Sequence, residues 1–173
     1  KMKMEGMEDI EEMQINYDQI EKMKDKKFKN KFYEETHYTD VKEIFKRSID
    51  KYKNNIYILE RPEHDHKAKF EEFTYERFGN DVINLGTGLI KQLNLKGERI
   101  IIIGENTYHW YVSYMAMLCG VGIAVPVDKE LPENEIENVI RRSKASTVIY
   151  STKKKEVIKK IEDNLPEVKY FIQ

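Results

Sequence analysis

Arg99-Ile100-Ile101-Ile102-Ile103-Gly104 places four isoleucines in a row behind one arginine. Apolar–polar alternation is absent, so both faces of this segment are expected to be buried. That is the signature of an interior parallel strand covered by helices on both sides. Downstream, Tyr108–Cys119 is apolar nearly all round, through Trp110, Tyr111, Val112, Tyr114, Met115, Met117 and Leu118, and reads as a buried crossover helix. Gly120 and Gly122 stop it, and Ile123–Val127 reads as the next strand. Pro126 removes one donor from that strand's ladder, which places it at the strand end. Pro132 suits the first position of a further helix. Glu133, Glu135 and Glu137 crowd the start of that helix, and Arg141, Arg142 and Lys144 crowd its end, which complements the helix dipole without any ligand. Ile136, Val139 and Ile140 form its core face. Thr147–Tyr150 then reads as a strand, Lys153–Asn164 as a helix and Val168–Ile172 as a last strand. The succession implies an α/β fold: a doubly wound, mainly parallel sheet with helices on both faces.

Upstream, Thr74 is placed to cap a helix running to about Leu93, with Phe78, Val82, Leu85 and Leu89 as its buried face. Gly86 and Gly88 cost a helix about 1 kcal/mol each relative to alanine, which points to close helix–sheet contact. Asn94–Gly97 ends the helix and turns the chain. Thr36–Lys53 reads as an earlier helix with Thr39 or Asp40 as its cap and Val41, Ile44, Phe45, Ile49 and Tyr52 buried. Ile56–Glu60 and Ala68–Phe73 read as an antiparallel hairpin around the polar loop Arg61–Lys67, with Phe70 and Phe73 as its apolar surface. Residues 1–35 read as a helical appendage to a body at 36–173. Met7, Ile10, Met13, Tyr17, Ile20 and Met23 form one stripe, suited to docking on the body or on a second chain. A Met-rich stripe also suits an adaptable partner surface. The run Lys22–Lys31 is broken by Asp25 and Phe28 and reads as a solvated face.

Composition excludes several classes. Thirty basic residues against thirty-one acidic ones give a net charge of −1, so nothing calls for nucleic acid or an anionic membrane. No apolar run approaches the roughly 20 residues of a membrane span. The charged start Lys1-Met2-Lys3-Met4 is no signal peptide. The single cysteine, Cys119, excludes an internal disulfide and fits a reducing cytoplasm. The chain opens on Lys1 rather than methionine, so trimmed ends are expected at both Lys1 and Gln173.

An open α/β sheet binds ligands beyond the carboxyl ends of its strands. Those ends are Gly104-Glu105-Asn106, Val127-Asp128-Lys129 and Ser151-Thr152-Lys153. Neither G-x-G-x-x-G nor G-x-x-x-x-G-K-[ST] occurs, so a nicotinamide or P-loop site has no support. Glu105 and Asn106 read as caps of the following helix. His109, with no evident carboxylate or nucleophile beside it, reads as a rim or packing histidine rather than a general base. Cys119 reads as an inert core thiol. Asp128 is the carboxylate best placed for chemistry, but it stands alone. Lys153-Lys154-Lys155 reads as a solvated run. His64-Asp65-His66 has metal-ligand spacing on a strand, yet it sits in a charged turn without further ligands, and an exposed hairpin tip is expected. No residue is assigned as catalytic, cofactor-binding or metal-binding.

Between Phe73 and Ser151 an ordered set of short motifs resembles the amino-terminal part of the adenylate-forming (AMP-binding) acyl-CoA synthetase family. Phe73-Thr74-Tyr75 resembles the family's entry to its first long helix. Gly97-Glu98-Arg99-Ile100, Glu105-Asn106 and Trp110 are similar to its "G-D/E-R-V … E-N … E-W" stretch. Gly120-Val121-Gly122-Ile123-Ala124-Val125-Pro126-Val127 is similar to its "G-A/V-x-x-V-P" segment. Leu131-Pro132-Glu133-Asn134-Glu135-Ile136 and Ser143-Lys144-Ala145 are similar to the family's next helix and its end. The Glu-Asn…Trp pattern is closest to the long-chain fatty acid branch. His109 stands where the family usually has glutamate, and Asp128-Lys129-Glu130 replaces its usual turn, which leaves the subfamily open.

The resemblance implies a longer parent that uses ATP, Mg²⁺ and CoA to convert a carboxylic acid, a long-chain fatty acid first, to its adenylate and then its thioester. Another carboxylic or amino acid is the alternative substrate. The family's phosphate loop ending in Pro-Lys-Gly, its Thr-Glu pair for magnesium, its ribose-binding aspartate and its catalytic lysine have no counterpart here. The chain would then be the first part of a larger amino-terminal domain and inactive by itself, with no cofactor of its own. A stand-alone α/β interaction or regulatory module is the reading from a different class. Self-association is expected through the amino-terminal helix or through faces that the parent covers.

Overall fold

The computed structural model describes residues 36–61 and 67–173. The stripe from Met7 to Met23, the run Lys22–Lys31, and Pro62, His64, Asp65 and His66 lie outside the described residues. In chain order the elements are α1 (Val41–Tyr52), β1 (Ile56–Glu60), β2 (Glu71–Thr74), α2 (Tyr75–Lys91), β3 (Arg99–Ile103), α3 (Tyr108–Ala116), β4 (Ile123–Val127), α4 (Glu133–Ser143), β5 (Thr147–Tyr150), α5 (Lys155–Ile161) and β6 (Tyr170–Ile172).

Strand β3 organises the rest. It pairs in parallel with β4 on one side and with β5 on the other, and β5 pairs in parallel with β6, giving the order β4-β3-β5-β6. All four isoleucines are at most 1% exposed. Ile100 and Ile102 pack with Phe78, Val82 and Leu89 of α2 and with Tyr108 and Val112 of α3. Ile101 and Ile103 pack with Ile136 and Ile140 of α4 and with Ile158 and Ile161 of α5. The sheet is therefore parallel and covered on both faces, as the isoleucine run requires. The hairpin β1–β2 is antiparallel.

Several expectations are corrected. Helix α1 begins at Val41, capped by Asp40, whose carboxylate accepts from Glu43 N at 2.8 Å. None of its residues is fully buried, and Val41, Ile44 and Tyr52 are exposed. On its α2-facing side Phe45 meets Phe78 edge-on at 5.8 Å, and Ile49 lies directly over Gly79. Strand β2 starts at Glu71, which leaves Phe70 outside it and exposed. Gly86 admits a helix neighbour rather than the sheet, since a Cβ there would lie 3.2 Å from Val121 Cγ2 and 3.8 Å from Ala116 Cβ; Gly88 meets nothing within 4 Å. Helix α3 is not buried all round. It is sandwiched against α2 and the sheet, and Tyr111 faces outward and is exposed, as is Leu118 in the segment that follows.

The chain leaves α3 through a π turn, Met117–Val121, in which Gly120 takes φ +114°. Gly122 comes next, at a place where a Cβ would run into the Glu98 carbonyl, so only glycine lets the chain enter β4 beside β3. Pro126 forfeits no bond to β3. Ile123 N donates to Glu98 O at 2.8 Å, and alternation along the strand then turns the Pro126 nitrogen to the open edge of the sheet. Pro132 is the N-cap of α4 rather than its first turn. The last predicted helix divides into a 3₁₀ turn Thr152–Lys154, α5 and a second 3₁₀ turn Glu162–Asn164, and β6 starts at Tyr170 rather than Val168. Among the described residues no helix is long and apolar enough to cross a membrane.

Candidate functional site at the strand carboxyl ends

The strand order reverses at β3: the chain moves to β4 on one side, then returns past β3 to β5 on the other. Such a switch point opens a crevice beyond the strand carboxyl ends. Gly104 and Ser151 meet there. Ser151 N donates to Ile103 O at 3.0 Å, and a Cβ on Gly104 would lie 2.7 Å from Ser151 Cβ. Ser151 Oγ is buried without a hydrogen-bond partner among the described residues.

A cavity of about 340 Å³ lies over these strand ends, on the α2–α3 side of the sheet. Ile102, Ile149 and Ile172 form its floor, and Leu85, Trp110 and Val112 its wall. Trp110 is held in place by stacking on Tyr114, with ring centroids 5.1 Å apart. Polar groups are few. Ser113 Oγ is engaged, donating to His109 O at 2.9 Å, and Gln173 Nε2 donates to Thr152 Oγ1 at 3.2 Å. Glu105 and the exposed His109 stand on the rim. A largely apolar pocket with a few polar edges suits the apolar body of a small ligand.

The sequence-derived candidates are not brought together. Glu105 and His109 share the cavity rim; Asp128 is exposed in the β4–α4 turn, where its carboxylate accepts from Glu130 N at 2.9 Å. That is a turn-stabilising role. Lys154 is half-buried rather than solvated, and its ammonium donates to Lys129 O, tying the β5 and β4 turns together. Cys119 is only half-buried, on the π-helical turn that continues α3, and burial pushes its thiol above the ordinary value. A protonated thiol is a poor nucleophile.

The capping of α3 departs most from the sequence reading. Thr107, not Glu105 or Asn106, is the N-cap, and its side chain makes no cap bond. The Tyr108 N–H is instead taken by the Glu60 carboxylate of β1 at 2.8 Å. Tyr108 Oη donates to Asp81 Oδ2 of α2 at 2.7 Å; burial first, and this bond second, push the phenol far above its usual range. Every helix start exposes unsatisfied N–H groups. The sequence thus signals that an acceptor is needed, but not that it comes from 48 residues upstream.

Among the described residues no group of three His, Cys, Asp or Glu side chains is arranged to hold a metal ion. The cavity offers one carboxylate and no glycine-rich turn opening a helix.

Solved structures share the fold at low identity. An anthranilate CoA ligase, AuaEII, in complex with anthranoyl-AMP, superposes with a TM-score of 0.68 at 22% identity, over 82% of this chain and 26% of that one. The N-terminal domain of FACL13 from Mycobacterium tuberculosis gives 0.67 at 19%, over 78% and 33%. A candidate long-chain-fatty-acid CoA ligase from Rhodopseudomonas palustris gives 0.64 at 18%, over 79% and 33%. This chain thus spans about a quarter to a third of these structures. No curated protein sequence matches it. The family model of the AMP-binding enzymes matches residues 45–172, well over half of the chain and the whole parallel sheet with its helices, and the chain belongs to that family.

Proposed function

We propose that this chain is the amino-terminal part of an ATP-dependent acid–CoA ligase, with a long-chain fatty acid as its substrate. The family match over residues 45–172 carries the proposal. The small share of the ligase structures that the chain spans supports a larger parent. In such a ligase a carboxylate, a poor electrophile, gains a good leaving group as its adenylate, and the CoA thiol then displaces AMP. This chain's residues would supply a wall: strand ends locked by Gly104 and Ser151, and an apolar face of Ile102, Trp110 and Ile149. We assign the phosphate and Mg²⁺ ligands to other parts of the parent, in keeping with the absence of any group of three metal-ligating side chains among the described residues. An aryl acid is the second reading, favoured by the likeness to the anthranilate ligase. We further assign residues 1–35 to a helical appendage on a body at 36–173, a cytoplasmic location, and association through uncovered faces.

The test is ATP–pyrophosphate exchange. A longer protein carrying this chain is expected to exchange with fatty acids of about 12–18 carbons and less well with benzoates, whereas the 173 residues alone give no exchange. Preference for benzoates would replace the fatty acid with the aryl reading. Exchange by the chain alone would overturn the division of labour, and no exchange with any acid would overturn the ligase reading.

A further inference from the structure

A second cavity, of about 420 Å³, opens between α1, α2 and the π turn that leaves α3. The α2–α3 pair divides it from the switch-point cavity. Leu85 and Ser113 line one, while Gly86 and Ala116 line the other. Phe45 and Ile49 of α1, Val82 and Ile90 of α2, and Ala116 and Val121 make the second cavity apolar. Its volume is that of a small-molecule site.

The rim is charged. Lys42 and Lys46 stand one turn apart on α1, both exposed, and neither forms an ion pair with any described residue. Asp50, a further turn along, shares the rim and leaves it one positive charge in excess. An apolar slot with two ammonium groups at its lip complements a molecule with one anionic end and an aliphatic body. A compact anion gains nothing from the lining, and a neutral hydrocarbon gains nothing from the lysines.

We infer that this cavity binds an aliphatic monocarboxylate, with the chain among the apolar side chains and the carboxylate at Lys42 and Lys46. The site is separate from the strand ends and does not depend on the ligase reading. Cys119 lines its wall and is the only cysteine of the chain, so it reports occupancy directly.

The experiment titrates the 173-residue chain with octanoate, decanoate and dodecanoate below their micelle concentrations. Binding is followed by calorimetry and by the rate at which iodoacetamide alkylates Cys119. Affinity is expected to rise about three- to fourfold per added methylene until the cavity is full, which is the gain for a fully buried CH₂. Decanoate should slow Cys119 alkylation at least fivefold. Lys42→Gln with Lys46→Gln should weaken decanoate at least tenfold and leave decanol, the uncharged control, unchanged. Equal affinity for decanol and decanoate, or indifference to the double substitution, would overturn the assignment. So would decanoate binding that leaves Cys119 unprotected, which would locate the acid in the switch-point cavity instead.

Discussion

Strand β3 and helix α1 both carry strong apolar signals in the sequence and end in opposite situations. The four isoleucines of β3 are at most 1% exposed, whereas Val41 and Ile44 of α1 are 42% and 43% exposed. The difference lies in the number of partners. β3 has a strand on each side and helices above and below. Among the described residues helix α1 has α2 and the π turn along one side, where Phe45, Ile49 and Tyr52 make the contact. An apolar residue states what burial would gain; the number of elements arriving around it determines whether burial happens.

The largest expected effect tests this contrast directly. Ile102→Ala removes three carbons from a side chain that is 1% exposed and should cost about 2–5 kcal/mol in urea unfolding. Ile44→Ala should stay within about 0.5 kcal/mol, as surface substitutions do. If Ile44→Ala costs as much as Ile102→Ala, the outer face of α1 is covered in solution and the contrast between the two elements fails.

Much of the sheet was legible because its signals are local. An unbroken isoleucine run, Gly120 and Gly122 at the turn into β4, and Thr74 ahead of Phe78 each report on their own neighbourhood. Thr74 does accept from Arg77 N, at 3.2 Å. Pro126 was legible as an anomaly and misplaced in its consequence, since a sequence shows the missing donor but not which side of the strand it faces. The site was less legible. The cavity over the strand ends depends on which helix residues come to lie beside Ile102 and Ile149, and that is fixed by helix packing rather than by any motif. Glu60 was invisible because its partner, the Tyr108 N–H, is a backbone group that every residue but proline possesses.

The next effect sharpens how the hairpin is held to the body. Glu60 reaches from β1 to the first N–H of α3, and Tyr108 reaches from α3 to Asp81 of α2. Tyr108→Phe keeps the ring, which stacks on Phe73 with centroids 3.7 Å apart, and removes only the hydroxyl. A hydrogen bond to a charged acceptor makes the expected loss about 1.5–3 kcal/mol. Glu60→Gln keeps an acceptor and removes the charge, and should cost about 0.5–1 kcal/mol at a helix start. Equal losses from the two substitutions would mean that the Glu60 charge matters as much as the buried phenol bond.

The smallest effect concerns α4 and α5, on the sheet face opposite α2 and α3, where exposed polar groups rather than apolar ones make the outer contact. The Glu137 carboxylate accepts from Arg141 at 2.8 Å and from Asn164 at 3.2 Å, and these bonds, the Arg141 one first, hold it below the usual glutamate range. Because the folded value is depressed, the contribution is fully present above the unfolded glutamate value of about 4.3 and is lost as the pH falls from there through the folded value. Acid titration of unfolding should therefore show a loss of stability beginning near about pH 4–5 that is reduced in Glu137→Gln, with the two proteins converging at lower pH. Both partners are surface groups, so the separation should also shrink in high salt. Ile102→Ala, whose cost comes from lost apolar contacts, should show a deficit that salt does not screen. A salt-independent Glu137→Gln deficit would place this ion pair with β3, among contacts closed to solvent, rather than with α1.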